Sequence, residues 1–185
     1  MFGLDFQLFQ MINSLAGKSA LIDSLGIFCA DYLKYLLFLA FGVFILYSFL
    51  KKGRKVDTAF CFLFVAAVAA FSYFLITPAL KDLFVRPRPF VVHQVNQLVS
   101  EDALSYSFPS GSAVLTFALA TAILFFNRKM GFVFLVLAFF TSFAQVFVGV
   151  HYPFDVIGGM LVGVVFSLIS WQIFRIPGLD ITRSL

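Results

Sequence analysis

His151 and Asp155, at the ends of the run His151-Tyr-Pro-Phe-Asp155, are the pair in this chain best suited to chemistry. Four positions apart, they share one face if the segment is helical. Pro153 suits a first helical turn, where its missing N–H costs nothing. An aspartate bonded to one imidazole nitrogen fixes the tautomer and leaves the other nitrogen as base or nucleophile. The plainer alternative is a histidine at lipid headgroup level beside a capping aspartate. A second group is Lys81-Asp-Leu-Phe-Val-Arg86-Pro-Arg88-Pro89. Lysine supplies a point charge and arginine a planar fork that fits phosphate oxygens, and the prolines stiffen the segment. The third is Phe108-Pro-Ser110-Gly111-Ser112, which opens an apolar run. A helix start presents unpaired N–H groups to an anion, and Gly111 permits close approach. It is equally an ordinary serine N-cap. Together, a cation cluster, an anion-binding helix start and an oriented histidine make a phosphate site with a nucleophile.

The elements that must position these residues are apolar. Of 185 residues, 62% are hydrophobic and 12% charged, against about 45–50% and 25% in soluble domains. The chain therefore reads as an integral membrane protein, an all-α polytopic helical bundle forming one domain over residues 1–185. A net charge of +4 is too small to point to nucleic acid. Cys29 and Cys61 lack metal-ligand spacing, and the 28 phenylalanines are packing or lipid-facing bulk. Asp5 and two glutamines interrupt the first ten residues, so no cleavable signal peptide is expected. Residues 2–16 show apolar positions at helical spacing and are expected to lie at the interface. Spans are expected over 35–50, 58–80, 113–126, 132–148 and 154–174. Residues 19–33, which carry Asp23 and Asp31, are a sixth span, part of one longer helix, or a re-entrant piece. The expectation is thus five to six transmembrane helices.

The basic residues at 51–55 and 127–129, with Arg175 and Arg183, fall on one side by counting crossings. The positive-inside rule makes that side cytoplasmic. Residues 81–112 and 149–155 then face outward, with Lys81, Arg86 and Arg88 on the disfavoured side. An anionic ligand would account for them, as would headgroup anchoring.

These motifs resemble the type 2 phosphatidic acid phosphatase superfamily, which shares its core with vanadium-dependent haloperoxidases. Lys81 and Arg88-Pro89 match the first family motif. Pro109-Ser110-Gly111 matches the second, with Ser112 where the family has histidine. His151 and Asp155 match the third, with Gln145 where the family has arginine. Size and wording are most similar to bacterial undecaprenyl-diphosphatases of the bacitracin-resistance type. The resemblance implies that His151 attacks phosphorus and becomes a phosphohistidine, with Asp155 orienting it. Lys81, Arg88 and the backbone at Ser110 and Gly111 would hold the phosphoryl oxygens, and no metal or other cofactor is implied. The general acid role at 112 and the charge-neutralising role at 145 are vacant, so reduced activity is expected. The implied function is hydrolysis of undecaprenyl or another polyprenyl diphosphate to the monophosphate in the bacterial plasma membrane, with the site on the outer face. Its partners would be that substrate and membrane lipids. The alternatives are a phosphatidylglycerophosphate or phosphatidate phosphatase, and a non-catalytic lipid-phosphate binding protein. A transporter is less expected, because the spans lack a buried charge chain beyond Asp23 and Asp31.

Overall fold

The computed structural model describes residues 2–50 and 55–174. Lys51, Lys52, Arg54, Arg175 and Arg183, on which much of the orientation argument rests, lie outside the described residues. The described residues are all helix and loop. Helix α1 covers Phe2–Asn13, and α2 runs unbroken over Ala20–Leu50 with one π-helical turn at Phe28–Tyr32. Helix α3 (residues 55–84) comprises Lys55–Phe71, a second π-helical turn at Ser72–Ile76, and Thr77–Phe84. A single turn, α4 (Pro89–Val92), is followed by a long loop and then α5 (Gly111–Leu124), α6 (Arg128–Phe147) and α7 (Pro153–Phe174). Residues 19–33 are therefore not a separate span but lie largely in the first part of α2.

Helix α5 is the axis of the bundle. Ten of its residues, including Ala113, Val114, Thr116 and Ala118, are buried, as expected for a helix apolar on every side. Helix α7 lies against it through a stripe of small residues at four-residue spacing. A side chain at Gly159 would come within 2.6 Å of the Ser110 carbonyl, and one at Gly163 within 2.6 Å of the Val114 carbonyl. One turn further on, Ser167 donates to the Ala118 carbonyl at 3.1 Å. Small side chains let two helix backbones approach where lipid offers no hydrophobic drive to associate. Helix α6 buries Phe134, Ala138, Thr141, Ser142 and Gln145 on its inner face, while Phe132, Val136, Phe139, Phe140 and Phe143 stay exposed. That outer face suits acyl chains.

Among the described residues, four stretches are long and apolar enough to cross a membrane: Ala20–Leu50, Thr58–Val92, Arg128–Phe147 and Pro153–Ile173. Helix α5 is apolar but has 14 residues, roughly 21 Å at 1.5 Å per residue, which is short of a bilayer core of about 30 Å. The described residues therefore meet the length criterion four times, against the five to six spans expected. At the head of α6, Asn127 accepts from the Met130 amide at 3.0 Å, so Asn127 is a helix cap and Arg128 and Lys129 open the helix.

Helix α1 turns one stripe inward. Asp5, Phe9 and Asn13, four residues apart, are buried, whereas Leu4, Met11 and Leu15 are exposed. Asn13 donates to the carbonyls of Asn96 (2.8 Å) and Phe147 (2.9 Å) and accepts from the Asn96 amide. This helix is thus fastened to the loop after α4 and to the end of α6.

Candidate active site

His151 lies in the bend between α6 and α7, not on a helix, so the expected one-turn helical pairing with Asp155 is not how the two meet. The chain leaves α6, and the His151 and Val150 amides donate to the Gln145 carbonyl at 3.3 and 3.1 Å. Pro153 then starts α7. Inside its first turn Asp155 sits fully buried, its Oδ2 accepting from the Tyr152 amide at 2.8 Å. His151 Nδ1 is 3.6 Å from Asp155 Oδ2, an ion-pair separation longer than a hydrogen bond.

The other imidazole nitrogen faces a cation. His151 Nε2 lies 3.4 Å from Arg88 Nη1. A guanidinium only donates, so the arrangement selects the tautomer with its proton on Nδ1, toward Asp155. Burial pushes the imidazole below its ordinary range near 6.5, Asp155 pulls it back, and Arg88 and Lys81 push it down again. The ring is therefore neutral at neutral pH, with the Nε2 lone pair turned toward the cations.

Arg88 is itself 4% exposed and held at several points. Its Nε donates to Ser105 Oγ at 3.0 Å, Nη1 donates to the Val150 carbonyl at 3.2 Å, and Nη2 is 3.3 Å from Glu101 Oε2. The segment is aimed by Val85, which ends α3 in the left-handed region at φ 45°. A β-branched residue there costs about 1–2 kcal/mol, and the turn brings Arg86 and Arg88 back over the bundle.

Ser110 is the residue before α5, but its hydroxyl does not cap the helix; its Oγ is buried without a partner. Its amide instead donates to the Asp155 carbonyl at 3.0 Å, tying the start of α5 to the start of α7. The first α-helical bond is Val114 to Ser110 at 3.0 Å, so the amides at 111–113 have no intrahelical acceptor and offer themselves to an anion. Gly111 also borders a cavity of about 350 Å³ shared with Lys81, Tyr73, Phe74, Ser105 and Tyr106. Lys81, in the last turn of α3, lies within electrostatic reach of Arg88, Glu101 and Asp155.

Residues 58–177 match the profile of the PAP2 superfamily. The chain belongs to the PAP2 superfamily. It is a PAP2-type lipid-phosphate phosphatase with several helices of membrane-spanning length. Undecaprenyl-diphosphatase BcrC of Bacillus subtilis (strain 168) is 27% identical over 91% of this chain and 83% of its own length. YbjG of Escherichia coli (strain K12) is 31% identical over 91% and 83%. The crystal structure of Aquifex aeolicus LpxE superposes with a TM-score of 0.71 at 26% identity, covering 92% of this chain and 96% of that one.

Ser112 and Gln145, two of the positions where this PAP2 chain departs from the motifs of the resemblance (Ala144 is the third), face each other. Gln145 Nε2 is 3.5 Å from Ser112 Oγ and donates to the Ala30 carbonyl at 2.8 Å. Ala30 sits in the π-helical turn of α2, where the i→i+5 pattern differs from that of the flanking α-helix. Gln145 therefore braces α2 against α6 while its backbone carbonyl holds His151. Among the described residues, no three His, Cys, Asp or Glu side chains gather as a metal-ligand group.

Arg86, one of the three cations expected to face an anionic ligand or headgroup, donates from Nη1 to Asp155 Oδ1 at 2.6 Å and from Nη2 to Asp5 Oδ2 at 2.5 Å. Its guanidinium lies 4.0 Å from the centre of the Tyr152 ring. Asp5, Ser105 and Glu101 were not among the expected site residues. Asp5 alone left a trace in the sequence, as a carboxylate in register with Phe9 and Asn13.

Proposed function

We propose that the chain hydrolyses a polyprenyl diphosphate, undecaprenyl diphosphate being the best fit, to the monophosphate. His151 Nε2 attacks the terminal phosphorus, the bond to the bridging oxygen breaks, and the lipid monophosphate leaves with that oxygen. Water then hydrolyses the phosphohistidine. Lys81, Arg88 and the amides at 111–113 hold the phosphoryl oxygens, and Asp155 steadies the imidazole as it gains positive charge. The observation that carries this reading is His151 Nε2 at 3.4 Å from Arg88 Nη1, a nucleophile and an oxyanion donor side by side. The cavity beside Lys81, walled by Tyr73 and Phe74, provides an apolar approach for the prenyl chain. Taking α5, although only 14 residues long, as a fifth crossing inside the bundle puts the site on the outer face.

Ser112 and Gln145 lower the rate. Losing a general acid costs about 10²–10⁴, and losing one transition-state donor costs roughly 2.7–4 kcal/mol. The loss falls unevenly on substrates. A diphosphate releases a phosphate monoester oxygen, a weak base with an ionisation near pH 6. A phosphatidate releases an alkoxide, which depends far more on a proton. Phosphate release should therefore favour prenyl diphosphate over phosphatidate, with Ser112→His raising the phosphatidate rate by the larger factor. Equal rescue of both substrates refutes the leaving-group argument. A second reading, non-catalytic lipid-phosphate binding, is favoured by the Gln145 bond to the Ala30 carbonyl, which turns that side chain to a bracing role. Absence of turnover in the Ser112→His, Gln145→Arg protein would decide for it.

A further inference from the structure

The cluster behind the histidine extends beyond Asp155. Both oxygens of that carboxylate are engaged, Oδ1 by Arg86 and Oδ2 by the Tyr152 amide, so its plane is fixed with Oδ2 toward His151. Arg86 is in turn fixed by Asp5 on α1 and lies over Tyr152. The second Asp5 oxygen accepts from the Phe154 amide at 2.9 Å, one of the unpaired donors in the first turn of α7. One residue of an amphipathic surface helix thus grips both the arginine that holds Asp155 and the helix that carries it. Asp5 is 1% exposed and Asp155 0%, so neither charge is spent on water.

We propose that Asp5 and Arg86 are positioning residues for the phosphoryl-transfer site, acting through Asp155 on His151, so that α1 completes the site. The proposal rests on the reading of His151 as the nucleophile. Two carboxylates around one guanidinium leave one net negative charge behind the imidazole. That charge offsets the positive charge His151 gains when phosphorylated or protonated. The other groups facing His151 push the opposite way: Arg88 from the segment before α4, neutralised in part by Glu101, and Lys81 from α3. Removing Asp5 lets Arg86 cancel Asp155, and removing Arg86 leaves two carboxylates. The two changes should move His151 in opposite directions, which a general loosening of the fold cannot do.

The chain has only two histidines, so imidazole Cε1 resonances of labelled protein in detergent can be followed with pH and assigned with His93→Gln. Arg86→Gln is expected to raise the His151 midpoint by about half a pH unit or more and Asp5→Asn to lower it, the direction an altered neighbouring charge dictates. The Asp5→Asn, Arg86→Gln double variant should return it toward the parent value. Asp5→Asn in the Ser112→His, Gln145→Arg background should lower kcat at least tenfold with KM within threefold. Either single variant decides alone. A folded Arg86→Gln protein with an unmoved or lowered midpoint overturns the proposal, as does a folded Asp5→Asn protein with an unmoved or raised one. Titration needs no turnover. Shifts of the expected sign, beside a Ser112→His, Gln145→Arg protein that releases no phosphate, uphold the charge coupling and reject the nucleophile reading, whereas unmoved midpoints beside an active Ser112→His, Gln145→Arg protein do the reverse.

Discussion

Replacing Arg88 by lysine keeps the charge and removes the fork. The guanidinium spans Ser105, the Val150 carbonyl, His151 Nε2 and Glu101 from a site that is 4% exposed. One ammonium on a flexible stem cannot reach all four. If it keeps the Glu101 pair, the Ser105 hydroxyl and the Val150 carbonyl each lose a donor. A hydrogen bond to a charged group contributes about 1.5–3 kcal/mol, so two lost contacts imply about 3–6 kcal/mol, part of which new water recovers. For catalysis, one displaced donor at the transferring phosphoryl group corresponds to a fall of about 10²–10³ in kcat. The measurement pairs phosphate release from prenyl diphosphate in the Ser112→His, Gln145→Arg background with vanadate inhibition and a thermal unfolding midpoint. Loss of rate and of vanadate affinity together, with reduced stability, is expected. An Arg88→Lys protein within threefold of its parent in rate and vanadate affinity would refute the claim that fork geometry, rather than charge, serves the site.

Other expectations follow from the same geometry. His151 is held below its ordinary value chiefly by burial, so the acid limb of kcat/KM should fall below pH 6.5; a limb centred above 6.5 contradicts the buried neutral imidazole. The unfolded chain binds that proton at higher pH than the folded one, so stability from this group is complete above about 6.5 and is lost as pH falls toward the folded value. Gly159→Ala places a methyl 2.6 Å from the Ser110 carbonyl and 2.8 Å from Ala113 Cβ, and should destabilise by about 1–3 kcal/mol, read as a lower unfolding midpoint. Single cysteines at positions 100 and 128 should label from opposite sides of the membrane; labelling from one side sinks the outward-facing site.

The helical architecture was legible because apolar periodicity and length are local properties. The run after Pro153 announced α7, and the composition announced a bundle in a membrane. That residues 19–33 continue into the following span was only one of three readings open in the sequence, since Asp23 and Asp31 interrupt the apolar pattern without interrupting the helix. Helix α5 is apolar throughout because it is buried at the axis, so its composition carried no information about its 14-residue length. At the site, Lys81, Arg88, Gly111, His151 and Asp155 stood out by type and spacing. Ser110 stood out too, yet the capping role open to its hydroxyl is not taken up. The partners of Arg86 were invisible, because Asp5 and Asp155 lie 81 and 69 positions away in sequence. No local periodicity carries a pairing of that range.

The π-helical turns at Phe28–Tyr32 and Ser72–Ile76 have a genetic consequence. Such a turn holds one residue more than the α-helical turn it replaces, so each marks a place where a single codon could be removed without breaking the helix. Removing one from the first would turn it into an ordinary α-helical turn and leave the flanking segments nearly in phase, whereas the same deletion in a plain α-helical stretch would rotate one side by about 100° relative to the other. What would be lost is the wide turn itself and with it the Ala30 carbonyl that Gln145 reaches, while the lipid-facing side of α2 keeps its direction. Substitution on the exposed side of these turns should be well tolerated, and a one-residue deletion in the first should keep the fold while releasing Gln145. The two kinds of change therefore separate what the turn's side chains contribute from what its extra residue contributes.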